Sequence, residues 1–591
     1  MTGSPDDGRI TPEERGDSTV TRTTLVRAVM VTTTAVLVVG IVLGGNLLSG
    51  SLTLPAPTPY PSRSTPPVET TDAEDAGLPA SAGGVTAIAD TESRQAQSGA
   101  ALVVEAVDRR LTAVSQLGWD DPRVLDEYGT VVLSARPEPY GLGDLIARGA
   151  VRQDDASTFT LERSVVVRAG ARLQIDAPGA TLRLRSDEAG FADLVGWGGS
   201  IALNGADGAP LTVTSWDGTH SSADILTHDG RAFVLVRNGR FETAHTSFNK
   251  LGFWSGRTGG VAVVSTDIGL ATAALTATAH TGLAYGVFLS GVVDSTVIGA
   301  TVTGAELTGI HITGSSRNIA IAGATIDGTG ADAITIERGS SQVRVTGSAM
   351  AHAGCYGLRF SGQALADGPS PSGGPTTLAT GLLVDAVTAT DNDRGGILID
   401  AGNDVILTDV VVDGASTALT VRGPSHTLAI TGAALTASRD IPARISGAVS
   451  DAVLARSTLI GSETAASTTD ARIAITENTF AVREGTPLTL GGRAHGVVER
   501  NTFNGTGQDP IGVADTALAE VDGSVLTDWR FQPLVEPASD GLAVAAGADR
   551  PRRRCAVRVR AAEAPGRAAS PARRRHHPLR PREDRRLRRD G

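Results

Sequence analysis

Gly286-Val-Phe-Leu-Ser-Gly, Gly309-Ile-His-Ile-Thr-Gly, Ala333-Ile-Thr-Ile-Glu-Arg, Gly357-Leu-Arg-Phe-Ser-Gly, Gly396-Ile-Leu-Ile-Asp-Ala and Ala418-Leu-Thr-Val-Arg-Gly are six versions of one phrase. All but one of the steps between them are 22 to 24 residues long. A polar residue follows the copies at Asp294, Asn318, Gln342, Asp404 and Thr427. A second apolar run then ends near Val297, Ile321, Val345, Leu407 or Ile430, and a third position closes the unit at Val302, Ile326, Met350, Val412 or Leu435. Short β-branched runs of this kind cannot each bury a face alone. Stacked as parallel coils they bury one another, which predicts a β-solenoid.

Aligning the copies gives two wholly apolar columns, Val287, Ile310, Ile334, Leu358, Ile397 and Leu419, then Leu289, Ile312, Ile336, Phe360, Ile399 and Val421. Period-two alternation turns the residues between and after them outward. The outward set is Phe288, His311, Thr335, Arg359, Leu398 and Thr420, then Ser290, Thr313, Glu337, Ser361, Asp400 and Arg422.

Working outward, the first 27 residues read as a polar cytoplasmic tail. Residues 28–48 carry no charge, are rich in Val and Leu, and are long enough to cross a bilayer. Arg22 and Arg27 precede this span and no basic residue follows until Arg63, which predicts a single-pass anchor with the N-terminus in the cytoplasm and the remainder outside. A cleaved signal peptide fits less well, because the apolar run is long and no small-x-small site follows it. Residues 49–85 form a Pro/Ser/Thr-rich linker.

Residues 86–158 read as a helical or mixed region. Leu102, Val103, Val107, Leu111, Val114 and Leu117 lie near helical spacing within Ala100–Leu117. Such a helix could bind a partner, but packing on the body or shielding the open solenoid end suits it better. A shorter helix is expected from Leu142 to Arg148, with Gly149 as its left-handed cap.

Residues 159–505 are assigned to the solenoid and 506–549 to a C-terminal cover. The Gly357–Gly396 step is 39 residues, so one coil carries an insertion at Gln363–Thr380 that could wall a cleft or be merely tolerated. Residues 550–591 hold 16 Arg against four acids, a net +12, so residues 1–549 carry −24 within the overall −12. A basic arm for nucleic acid is the alternative to a GC-rich gene read out of frame; the latter is the reading adopted, and nucleic acid is not expected as a partner. Two cysteines, Cys355 and Cys555, cannot make a disulfide framework.

The repeats resemble the PbH1-type right-handed parallel β-helix proteins, the pectate lyase-like superfamily, from about Phe159 to Gly505. Tyr285–Val343 is most similar to the mannuronan C5-epimerase group, and Phe248–Gly260 more weakly so. The resemblance implies an all-β right-handed parallel β-helix and a polysaccharide substrate. Those epimerases carry Asp-Pro-His-Asp, whereas this chain has His311-Ile312-Thr313-Gly314. The family's histidine falls on Thr313 and its second aspartate on Gly314, and neither can shuttle a proton.

Candidate chemistry therefore rests on the outward columns. His311, Glu337 and Arg359 fall diagonally across successive coils and supply a base, an acid and a cation. Asp400 and Arg422 extend the set as substrate contacts, unless the whole face is simply solvated. Phe253 and Trp254, in a chain with few aromatics, suit either sugar stacking or core filling at an irregular coil. Asp391-Asn-Asp-Arg-Gly-Gly reads as a polar turn, so no metal or other cofactor is expected; calcium at its clustered oxygens is the alternative, with no EF-hand or glycine-aspartate nonapeptide pattern to support it. The expectation is an anchored, extracytoplasmic solenoid that binds or modifies a polysaccharide, with lyase or epimerase chemistry if it is an enzyme. A non-catalytic envelope scaffold is the alternative.

Overall fold

The computed structural model describes residues 84–117, 121–362, 379–507 and 509–530. The expected tail, anchor at 28–48 and linker up to residue 83, most of the insertion, and the chain beyond Arg530 lie outside them. Among the described residues no helix is long and apolar enough to cross a membrane.

The described chain is a parallel β-solenoid. Three strands make each central coil, as in Tyr285–Ser290, Val293–Ile298 and Thr301–Thr303. Two of the strand ladders run together as a 27-stranded sheet and the third forms a 17-stranded sheet. The pairing Val287–Ile310–Ile334–Leu358–Ile397–Leu419 reproduces the first inward column residue for residue. Every member of both inward columns is at most 1% exposed. Strand stacking begins at Thr130 and runs to Arg530, beyond the repeat-defined limits on both sides.

The corners explain the spacing of polar residues. Asp294, Asn318, Gln342, Asp404 and Thr427 all take positive φ, between 47° and 58°. Asn and Asp tolerate that left-handed region, while a β-branched Thr there is unusual and is held by the coils on either side. Buried corners are tied by side-chain ladders. Asn478 Nδ2 donates to Leu454 O at 2.8 Å, and Asn501 Nδ2 donates to Ile475 O at 2.7 Å. These bonds satisfy carbonyls that would otherwise be buried unpaired.

The predicted amphipathic helix runs from Gly84 to Gln116 and packs on the body. Ala100, Val104, Val107, Leu111 and Val114, spaced four and three apart, bury against the outer face of the first coils. Leu102 faces solvent instead. The end of the solenoid is closed by the short helix Leu142–Ala147, whose Leu145 enters the main core, with Gly149 at φ 65° after it.

Some buried positions are not apolar, and His280 is one that titrates. His280 pairs in register with Val302, stacks on Phe248 at 5.2 Å and shares a 2.9 Å hydrogen bond with Thr278. Burial pushes its pKa from 6.5 down to about 3. Between those values the unfolded chain binds a proton that the fold refuses, so stability falls as pH is lowered through that window. Thermal melting at pH 4 should lie below melting at pH 7, and His280→Leu should narrow the difference.

Candidate functional site

The strands beginning at Tyr285, Ile310, Ile334 and Tyr356 present their outward residues as a grid. In register, Phe288, His311, Thr335 and Arg359 form its middle column. On its N-terminal flank stand Tyr285, Asp332 and Tyr356, the residues just before the Gly or Ala of their copies. The alternation breaks there, because Gly357 directs its missing Cβ toward the Ala389 side chain inside the coil. Counting back from the inward columns therefore misses these three residues. Their sequence signal was a non-glycine polar or aromatic residue recurring one place before the phrase.

His311 and Glu337 do meet. His311 Nε2 lies 3.2 Å from Glu337 Oε1, with side chains 15% and 20% exposed. Arg338 Nε lies 3.3 Å from the same oxygen. Burial works to raise Glu337, but the His311 bond and the nearby arginines outweigh it and hold the carboxyl below its usual value. An ionised Glu337 accepts from Nε2–H, which leaves neutral His311 with its lone pair on Nδ1. That Nδ1 is buried and has no partner. The imidazole is framed by Tyr285 at 5.7 Å and Phe288 at 5.4 Å between ring centroids. Burial, then the Glu337 charge, pushes the Tyr285 hydroxyl up.

Arg359 finds a different acid from the one expected. Its Nη1 lies 3.7 Å from Asp332 Oδ2, and the Asp332 side chain is 3% exposed. Asp332 also accepts from Thr335 Oγ1 at 2.9 Å and from the Tyr356 amide at 3.1 Å. Burial pushes its carboxyl up, against the pull of Arg359. Arg359 Nε is buried and unpartnered, as is the Thr313 hydroxyl where the epimerases' histidine would fall. A buried donor and a buried acceptor without partners in one patch mark it as a candidate site.

The remaining expected residues divide. Asp400 and Arg422 pair with each other at 2.9 Å on adjacent coils, Asp400 buried and Arg422 half exposed. Phe253 is 0% exposed, packed with Phe191 and Phe233 beneath the long helix, so its ring has no face left for a sugar. Core filling is the correct reading there. Trp254 is 44% exposed in the loop that leads to Gly256, itself against the Phe288 ring. Asp391 takes φ 51° and Asn392 Oδ1 accepts from Ala353 N at 2.9 Å, which makes that stretch a corner.

No family model matches the chain, and no curated protein matches it. Solved structures similar to it include the periplasmic alginate epimerase AlgG, with TM-score 0.44 and 13% identity over 67% of this chain and 85% of that one. The catalytic domain of Agl-KA gives 0.32 and 11% over 68% and 69%. The catalytic unit of a GH87 α-1,3-glucanase from Streptomyces thermodiastaticus gives 0.29 and 13% over 59% and 63%. Likeness at this level carries no argument about this chain's chemistry.

The site makes a stability prediction. Asp332→Ala should destabilise the protein by about 2–4 kcal/mol, because it strands a mostly buried guanidinium, an amide and a hydroxyl. Asp332→Asn should cost less, since its amide oxygen still accepts from the Tyr356 N–H. Denaturant titration measures both.

Proposed function

We propose that the outward face around His311, Glu337 and Arg359 binds an acidic polysaccharide and removes or exchanges a proton next to its carboxylate. The observation that carries this reading is the pair of buried, unpartnered polar atoms, His311 Nδ1 and Arg359 Nε, on one column of the solenoid beside the His311–Glu337 and Arg359–Asp332 pairs. A guanidinium neutralises a uronate carboxylate and so makes the neighbouring C–H easier to ionise. An imidazole whose Nδ1 has no partner and whose other nitrogen is held by a carboxylate can take up a proton as a general base. Tyr285, with its raised hydroxyl pKa, packs edge-on against the imidazole at 5.7 Å and serves as the proton donor in this reading. The carbanion left at that carbon is either reprotonated from the opposite face, which gives the epimer, or expels the neighbouring glycosidic oxygen, whose C–O bond breaks and which takes up a proton as the unsaturated end forms. In this reading the protein works outside the membrane, anchored by residues 28–48.

The alternative is a scaffold whose faces only make protein contacts. Calorimetry with uronic-acid oligomers, with NMR for new epimers or unsaturated ends, separates the two. Arg359→Ala should weaken binding by about tenfold or more, or about 1.4 kcal/mol. His311→Ala should abolish turnover while sparing binding. Binding without turnover in the unaltered protein would leave a lectin-like module, and no binding to any glycan would favour the scaffold.

A further inference from the structure

The middle outward column changes character at one place. It reads Val132, Val166, Val195, Leu235 and Ala262, then Phe288, and only then His311, Thr335 and Arg359. The apolar part lies beneath the long helix, where Val166, Val195, Leu235 and Ala262 are at most 5% exposed. The polar part begins one coil beyond the last residue the helix and its neighbouring loop cover. That loop presses on Phe288 so closely that a Cβ at Gly256 would sit 2.1 Å from the ring. It is tied to the helix by Arg257, whose Nη2 and Nη1 reach Asp108 at 3.0 and 3.2 Å.

From this we infer that the site takes the end of a polysaccharide chain rather than its middle, an inference that rests on the polysaccharide reading above. His311 and Arg359 share a column two coils apart, about 10 Å along the solenoid axis. A ligand that touches both therefore lies along that axis. Toward the N-terminal coils it meets Phe288, the Gly256 loop and then the helix. This wall is permanent, because lifting the helix would expose a continuous valine and leucine stripe to water. A chain lying along the column therefore stops at this wall and continues only toward the later coils, with three coil steps, about 14 Å, between Phe288 and Arg359. That is room for a few sugar rings, with one end of the chain held against the wall.

The test is calorimetry of the full-length protein against uronic-acid oligomers of increasing length, against the long polymer, and against oligomers chemically blocked at one terminus or both. The expected result is an affinity that stops rising at short length and a polymer stoichiometry that follows chain ends rather than total residues. Blocking both termini should weaken binding by about tenfold or more, and blocking one of the two should account for the whole loss. Blocked and free oligomers binding alike, with many protein molecules on each polymer chain, would overturn end recognition and leave the polysaccharide reading standing. Absence of binding to every uronate would overturn that reading and this inference with it.

Discussion

Parallel register between successive coils is the constraint on which everything else depends. Each strand pairs with its counterpart one coil away, so a column is a property of the stack rather than of any coil. With a side-chain period of two, a slip of one residue would turn Ile310 and Ile312 to water and His311 inward. Burial of the Val, Ile and Leu columns fixes the register, and the same register places His311, Thr335 and Arg359 one above another. The core therefore positions the site without any element devoted to it. The left-handed corner residues make this economical, since each bends the chain while keeping the next inward side chain in phase.

The outer face shows how one scaffold is given a beginning and an end. Where the long helix lies, outward residues are apolar and the sheet has core on both sides. Where it does not, the same column carries the imidazole and the guanidinium. The switch falls between Phe288 and His311, and the aromatic ring serves both parts, against the loop on one side and the imidazole on the other. Burial also sets the electrostatics. Asp332 is pushed up and Glu337 is held down, although both sit on one coil, because burial wins at the first, whereas at the second the His311 bond and the nearby arginines together outweigh it.

Much of the fold was legible in the sequence because it follows from periodicity. The inward columns, the five polar corner residues and the Leu142–Ala147 helix could be read from spacing and turn chemistry alone. The long helix was legible only where it is amphipathic. Residues before Ala100 lack an apolar stripe, so a periodic reading starts the helix about four turns late. The site was half legible. Alternation gave His311, Glu337 and Arg359, but it could not give Tyr285, Asp332 or Tyr356, which precede the point where the strand falls into step. Nor could it say that Arg359 would turn to Asp332, since that depends on side-chain reach across a coil. Phe253 shows the opposite failure. A rare aromatic beside glycines looks like a sugar platform until the helix that covers it is in place.

The central claim is that one outward patch, at the strands Tyr285–Ser290, Ile310–Thr313, Ile334–Ile336 and Tyr356–Ser361, is where a ligand sits. Hydrogen-exchange mass spectrometry with and without saturating uronic-acid oligomers tests it most directly. The account predicts that slowing of exchange is confined to peptides spanning these four strands and the Phe253–Gly260 loop, with Val293–Ile298 and its stacked counterparts unchanged. Protection centred on those other ladders, or spread evenly along the solenoid, would contradict it.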